Sequence, residues 1–227
     1  MKPTPFLDRR EVVDEWENDL PHWHQPLRFQ FITWCLGDAL PGKVLRRLKQ
    51  ERNRWLDAHP RPWSPSVQAD YYDRFHDRVD RWLELGRGEM VFRNPVYAKF
   101  MADVLMFHEG SKSRMDSFVV MPNHVHVLVQ LIGDTGLSDL LHSWRGYSAL
   151  ELNRRWGKKG RFWSEDYWDR VIRSPQHYRR VRRYIQDNPA KAGLPQGSYL
   201  LWMRDPPLWE ELKMEGYCVR SEWGALE

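Results

Sequence analysis

The chain has 227 residues, 41% of them apolar and 29% charged, which fits one soluble domain near the upper end of the usual size range or two small ones and argues against intrinsic disorder. No run approaches the ~18 apolar residues of a membrane helix, and the charged start MKPTPFLDRREVVDEWENDL reads as no secretory signal, so no membrane contact and a cytoplasmic location are expected. Cys35 and Cys218 lie far apart with no CxxC pair, which excludes a disulfide framework and a cysteine zinc site. The formal charge is only +4, but residues 144–191 carry 13 basic and 5 acidic side chains, whereas the rest of the chain carries 22 and 26. A basic segment within a slightly acidic chain points to a phosphate-bearing partner that docks at one place, the plainer alternative being a solvated arginine-rich helix face.

Residues 29–36, FQFITWCL, are rich in aromatic and branched side chains and end at Gly37, Pro41 and Gly42, which predicts a strand. Helical spacing follows, with Val44, Leu45, Leu48, Trp55 and Leu56 in one stretch and Val67, Tyr71, Phe75, Val79, Trp82 and Leu83 in the next. A third helix starts with Asn94 as cap and Pro95 in first position and stops by Gly110. Residues 115–121 and 124–131 read as two strands joined at Pro122-Asn123. After Ser138 another helix carries the stripe Leu141, Trp144 and Ala149 until Gly157. FWSEDYWDRVIR reads as an extended, hairpin-like segment. Ser174-Pro175 opens a last helix that Pro189 is expected to end near Asn188. The order predicts one α+β domain spanning 1–227, with 37–93 as a helical elaboration and 195–227 as a C-terminal tail.

His124 and His126 are two apart in a strand, so both imidazoles face one side of the sheet, about 6 to 7 Å apart at the backbone, and two ring nitrogens can meet on one metal ion. A half-buried, hydrogen-bonded histidine is the plainer reading of either, and a third ligand decides the metal. Tyr184 and Asn188 are four apart on the last helix and project one above the other, beside an apolar face centred on Tyr178, Val181 and Ile185. They read either as a boundary tyrosine and a helix-terminal asparagine, or as a phenol nucleophile beside an amide ligand.

MPNHVHVLV, FWSEDYWDRVIR and RYIQDNPAKAGL, in that order, closely resemble the single-tyrosine HUH transposases, in particular the REP-associated tyrosine transposases of bacteria. The resemblance covers residues 115–194 tightly and 29–36 loosely. It implies a ferredoxin-like antiparallel sheet with helices on its faces, His124 and His126 on a central strand as metal ligands, Asn188 as third ligand and Tyr184 as catalytic nucleophile. It also implies a divalent cofactor, Mg²⁺ or Mn²⁺, a 5′-phosphotyrosine intermediate, and a nucleoid-associated protein acting on single-stranded or hairpin DNA as monomer or homodimer. Arg145, Arg170, Arg173, Arg179, Arg180, Arg183 and Lys191 are the DNA-binding residues expected from the basic segment, whereas Arg182 is a candidate partner for a carboxylate such as Asp169 or Asp187. Two other classes share these features: a hairpin-binding protein without cleavage, and a zinc hydrolase whose HxH pair activates water with Asp116 or Asp134 as base.

Overall fold

The computed structural model of the protein describes residues 4–219 apart from 9, 11–13, 18–20, 61–62 and 166. A short antiparallel pair, β1 (Asp14–Glu17) and β2 (Pro21–His24), precedes β3 (Phe29–Cys35). Two long helices follow, α1 (Gly42–Ala58) and α2 (Pro65–Glu84), and then α3 (Pro95–Met106). The hairpin β4 (Ser113–Val120) and β5 (His124–Leu131) leads to α4 (Leu137–Trp156), β6 (Trp168–Val171), α5 (Pro175–Lys191), β7 (Leu200–Met203) and α6 (Leu208–Met214).

Five strands form one antiparallel sheet in the order β6-β3-β5-β4-β7. Without α1, α2 and β7, the succession β3-α3-β4-β5-α4-β6 with this strand order is the split β-α-β arrangement of a ferredoxin-like fold. The α+β class and the helical content between β3 and α3 agree with the reading of the sequence.

Alternation along β5 divides the molecule. Val125, Val127, Val129 and Leu131 face the layer of α3 and α4, in a core with Ile32, Trp34, Met101, Leu105, Leu141 and Trp144. Each such side chain, fully buried, contributes on the order of 1.5–3 kcal/mol. Leu128 faces the other layer, where Phe29, Phe31 and Val119 meet Tyr178, Val181 and Ile185 of α5 and Leu208, Trp209 and Leu212 of α6. His124 and His126 share that second face although the strand is buried throughout. Two imidazoles there cost desolvation that a pair of aliphatic residues would not.

Asn94 caps α3 by accepting from the Val96 amide at 2.9 Å, and Ser174 caps α5 by accepting from the His177 amide at 3.1 Å, each followed by proline in first position. Two local expectations are corrected. First, α5 does not stop at Asn188 but runs through Pro189 to Lys191. Proline so near a helix end removes only one late hydrogen bond, and the amides of Ala192 and Leu194, bonded to the carbonyls of Asn188 and Pro189, close the last turn. Second, the segment FWSEDYWDRVIR does not fold back on itself. It runs beside β3 from the Leu36–Trp163 bridge to the Gln30–Val171 pair, because β3 offers an open edge. The segment after Leu194 contributes β7 and α6 to the sheet and its second layer.

Asp116 is the extra residue of a bulge in β4, where the register against β5 shifts between Met115 and Ser117. Its fully buried carboxylate accepts from Arg182 Nη1 at 2.9 Å, from the Leu208 amide at 2.9 Å, from Ser117 Oγ at 3.0 Å and from the Tyr178 hydroxyl. Arg182 therefore pairs with Asp116, not with Asp169 or Asp187.

Candidate active site

On the α5 face of the sheet, His124 and His126 bring their Nε2 atoms to 3.1 Å of each other. Asn188, from the last turns of α5, sets Nδ2 3.4 Å from His126 Nε2, and its buried Oδ1 has no hydrogen-bond partner among the described residues. The Tyr184 ring meets His126 edge to face, with centroids 5.3 Å apart, and Phe31 at 5.9 Å. The four predicted site residues are thus gathered at one point, where the centre of the sheet meets the C-terminal half of α5.

Their far sides are fixed by two residues that sequence reasoning missed. Asn123 donates from Nδ2 to the carbonyls of Arg87 (2.9 Å) and Leu83 (3.4 Å), so the amide oxygen is the atom that faces His124 Nδ1 at 2.7 Å. That nitrogen must then carry the proton, which leaves His124 Nε2 as a lone pair directed into the site. Thr33 is the cross-strand partner of His126 and places Oγ1 2.7 Å from its Nδ1. A hydroxyl both donates and accepts, so it serves either tautomer of His126.

Burial drives the His124 imidazole down to about 3, and burial, His124 and Arg170 push His126 well below its ordinary value. Both rings are neutral at neutral pH, the form that binds a metal. Two converging ring nitrogens and one buried amide oxygen without a donor fit a divalent cation with mixed nitrogen and oxygen preference. Among the described residues, no group of three or more His, Cys, Asp or Glu side chains gathers as a metal site. Asp116, one of the two carboxylates considered as base of a hydrolase, is taken up by Arg182, Tyr178, Ser117 and Leu208.

The Tyr184 phenol is pushed well above its ordinary 10, first by burial and then by the Asp80 carboxylate beside it, with Glu84 adding to the effect and Arg170 opposing it. Asp80 and Glu84 belong to α2, so the elaboration between β3 and α3 reaches the nucleophile candidate as well as Asn123. Lys191 sits over the Tyr184 ring at 5.3 Å, and Arg170 over Phe31 at 5.2 Å, which places two of the expected DNA-binding cations beside the site.

The other cations are spread out. Arg145 holds the carbonyls of Ser164 and Glu165. The Arg173 amide donates to His177 Nδ1 at the start of α5. Arg179, Arg180 and Arg183 are exposed on the outer side of α5 and make no ion pair among the described residues. No helix among the described residues is long and apolar enough to cross a membrane.

Residues 88–188 match the family model described as IS200-like transposases. An uncharacterised protein of Haemophilus influenzae is 26% identical over 113 residues, which is 40% of this chain, and the chain spans 57% of that relative's length. Two solved structures are similar: one described as a REP-associated tyrosine transposase bound to a REP hairpin (TM-score 0.39, 16% identity, 77% of this chain and 74% of that one), and a putative transposase of Deinococcus radiodurans (TM-score 0.29, 14% identity, 70% and 89%).

Proposed function

We propose that this protein, whose residues 88–188 match the IS200-like transposases, cleaves and rejoins single-stranded DNA near hairpins, with Tyr184 as nucleophile and His124, His126 and Asn188 holding Mg²⁺ or Mn²⁺. One observation carries the reading: Asn188 Oδ1, buried and without a donor, stands beside two convergent imidazole nitrogens within one helical turn of the Tyr184 phenol. A divalent cation held there supplies the charge that polarises the scissile phosphate and offsets charge in the transition state.

The residues divide the remaining work. Tyr184 Oη attacks phosphorus, the new O–P bond forms as the bond to the 3′ oxygen breaks, and the product is a 5′-phosphotyrosine with a free 3′-OH. A buried phenol with a raised pKa is a poor nucleophile until its proton leaves; the Tyr184 hydroxyl has no hydrogen-bond partner among the described residues, and Asp80, whose carboxylate helps to raise its pKa, is the acceptor we assign to that proton. Thr33 and Asn123 hold the imidazoles in the orientation that directs Nε2 inward. Because the phosphotyrosine conserves the bond energy, a returning 3′-OH reverses the reaction and joins a strand.

The test is a denaturing gel of protein incubated with labelled hairpin DNA carrying a single-stranded flank, with Mn²⁺. Expected is a covalent adduct, lost in Tyr184→Phe and in excess chelator. Cleavage without an adduct would favour a hydrolase, and binding without cleavage a hairpin-binding protein.

A further inference from the structure

A cavity of about 370 Å³ opens between α1, α2 and the loop leading into β6, within the size range of ligand pockets, roughly 300–1,000 Å³. Its walls combine two aromatic rings, Phe75 and Trp168, with three cations spaced along one face of α1: Arg46, Lys49 and Arg52. One carboxylate, Glu165, lies at the lining, and it pairs with Arg161.

Arg52 is the unusual member. It is only 6% exposed, its guanidinium makes a single hydrogen bond, from Nη2 to Asn53 Oδ1 at 2.9 Å, and its buried Nε has no partner. Among the described residues no carboxylate pairs with it. A buried guanidinium short of both a hydrogen-bond acceptor and a counter-charge is costly, and an anionic oxygen entering the cavity would supply both.

The cavity also has a fixed relation to the candidate active site. Trp168 is the cross-strand partner of Thr33, and Thr33 that of His126. With strands about 4.8 Å apart, the backbone of Trp168 stands about 10 Å from that of His126, a distance a single strand bridges readily. We propose that this cavity is a nucleotide subsite: Arg46, Lys49 and Arg52 receive a phosphate, and the parts of the Phe75 and Trp168 rings that line the cavity give an apolar wall against which a base of the single strand beside the cleavage point rests. Stacking on an aromatic ring tolerates every base, so the subsite contributes reach and register more than sequence choice. It rests on the DNA-cleavage reading above, and it gives the α1–α2 elaboration a role in holding substrate.

The experiment compares two probes, a hairpin with a single-stranded flank and the same hairpin without it, by fluorescence anisotropy with the full chain and its Arg46→Ala and Arg52→Gln variants. Expected is a loss of about tenfold for the flanked probe in Arg52→Gln, with a smaller loss in Arg46→Ala and little change for the unflanked probe. Arg46 is exposed, so its variant keeps the test valid if Arg52→Gln alters folding, which circular dichroism checks. A flank carrying 5-iododeoxyuridine should photo-cross-link to peptides that contain Trp168 or Phe75.

Equal losses on both probes, no loss on either, or cross-links only elsewhere would overturn the subsite. An adduct on Tyr184 with unaltered flank affinity in both variants removes the subsite and leaves the cleavage reading standing. Flank-dependent losses without any adduct in the wild-type chain remove the cleavage reading and leave a DNA-holding pocket.

Discussion

Thr33 and His126 face each other across adjacent strands, and the threonine hydroxyl lies 2.7 Å from the inner ring nitrogen of the histidine. Thr33→Val keeps the shape and removes this partner, so His126 Nδ1 is left buried without a hydrogen bond. Outer partners of metal-bound histidines are worth about 10- to 100-fold in metal affinity. Calorimetric titration with Mn²⁺ should show a loss in that range, and unchanged affinity would remove Thr33 from the support of the site.

The proton path makes a second prediction. Tyr184→Phe should form no adduct while hairpin affinity stays within about twofold, since only one oxygen is lost. Asp80→Asn should still form the adduct, but about 100-fold more slowly, the lower end for loss of a general base. A normal rate in Asp80→Asn would mean that the phenol proton leaves by another route.

Asn188→Leu keeps the branched shape, though with a larger volume, removes the unpartnered oxygen and should weaken Mn²⁺ binding by about tenfold or more. Asn188→Asp supplies a charged oxygen at the same position and should bind the cation at least as well as the wild type. If both variants bind like wild type, Asn188 is not a ligand.

Acid should destabilise the fold before most carboxylates titrate. Burial pushes His124 and His177 down to about 3, while the unfolded chain takes up these protons near pH 6.5. Between those values the unfolded state binds more protons, so stability is full above 6.5 and falls as the pH drops toward 3. Each histidine then costs about 2 kcal/mol at pH 5. Urea melts at pH 7, 6 and 5 should show the decline, and His177→Gln should lessen it. A midpoint independent of pH over this range would contradict the buried neutral state.

Hairpin affinity should fall with salt. With roughly 4 to 6 phosphates neutralised on single-stranded DNA, log K should change with log salt at a slope of about −3 to −4. Replacing Arg179 or Arg183, both exposed and without ion pairs among the described residues, should flatten the slope by about 0.7. A slope near zero would mean that the cations of α5 are a solvated surface.

Much of this was legible where periodicity and capping agree. The alternation of HVHVLVQL placed both histidines on one face, and the wheel of α5 placed Tyr184 and Asn188 beside its apolar stripe. What stayed hidden depends on distant partners. Asn123 looks like a turn residue, because the carbonyls that orient it lie some forty residues earlier in sequence. Thr33 is one polar residue in an aromatic strand, and only the register against β5 gives it meaning. β7 has four residues and no clear alternation, and it forms because β4 offers it an edge. Arg52 gives no signal in the sequence, because a cation on an amphipathic helix is expected on the wet side, and here it is buried.

The Asp116 carboxylate joins three parts of the chain that sequence would keep separate: the bulge of β4, the helix that carries Tyr184, and the first turn of α6. A chain ending before Leu208 would lose one of the donors to this anion and strip Leu208, Trp209 and Leu212 from the inner side of α5. The helix bearing Tyr184 would then keep its Tyr178 and Arg182 bonds to Asp116 but lose the apolar layer that α6 lays against it. The segment of α6 therefore works as a latch on α5, and the seating of Tyr184 depends on residues more than twenty positions downstream of it.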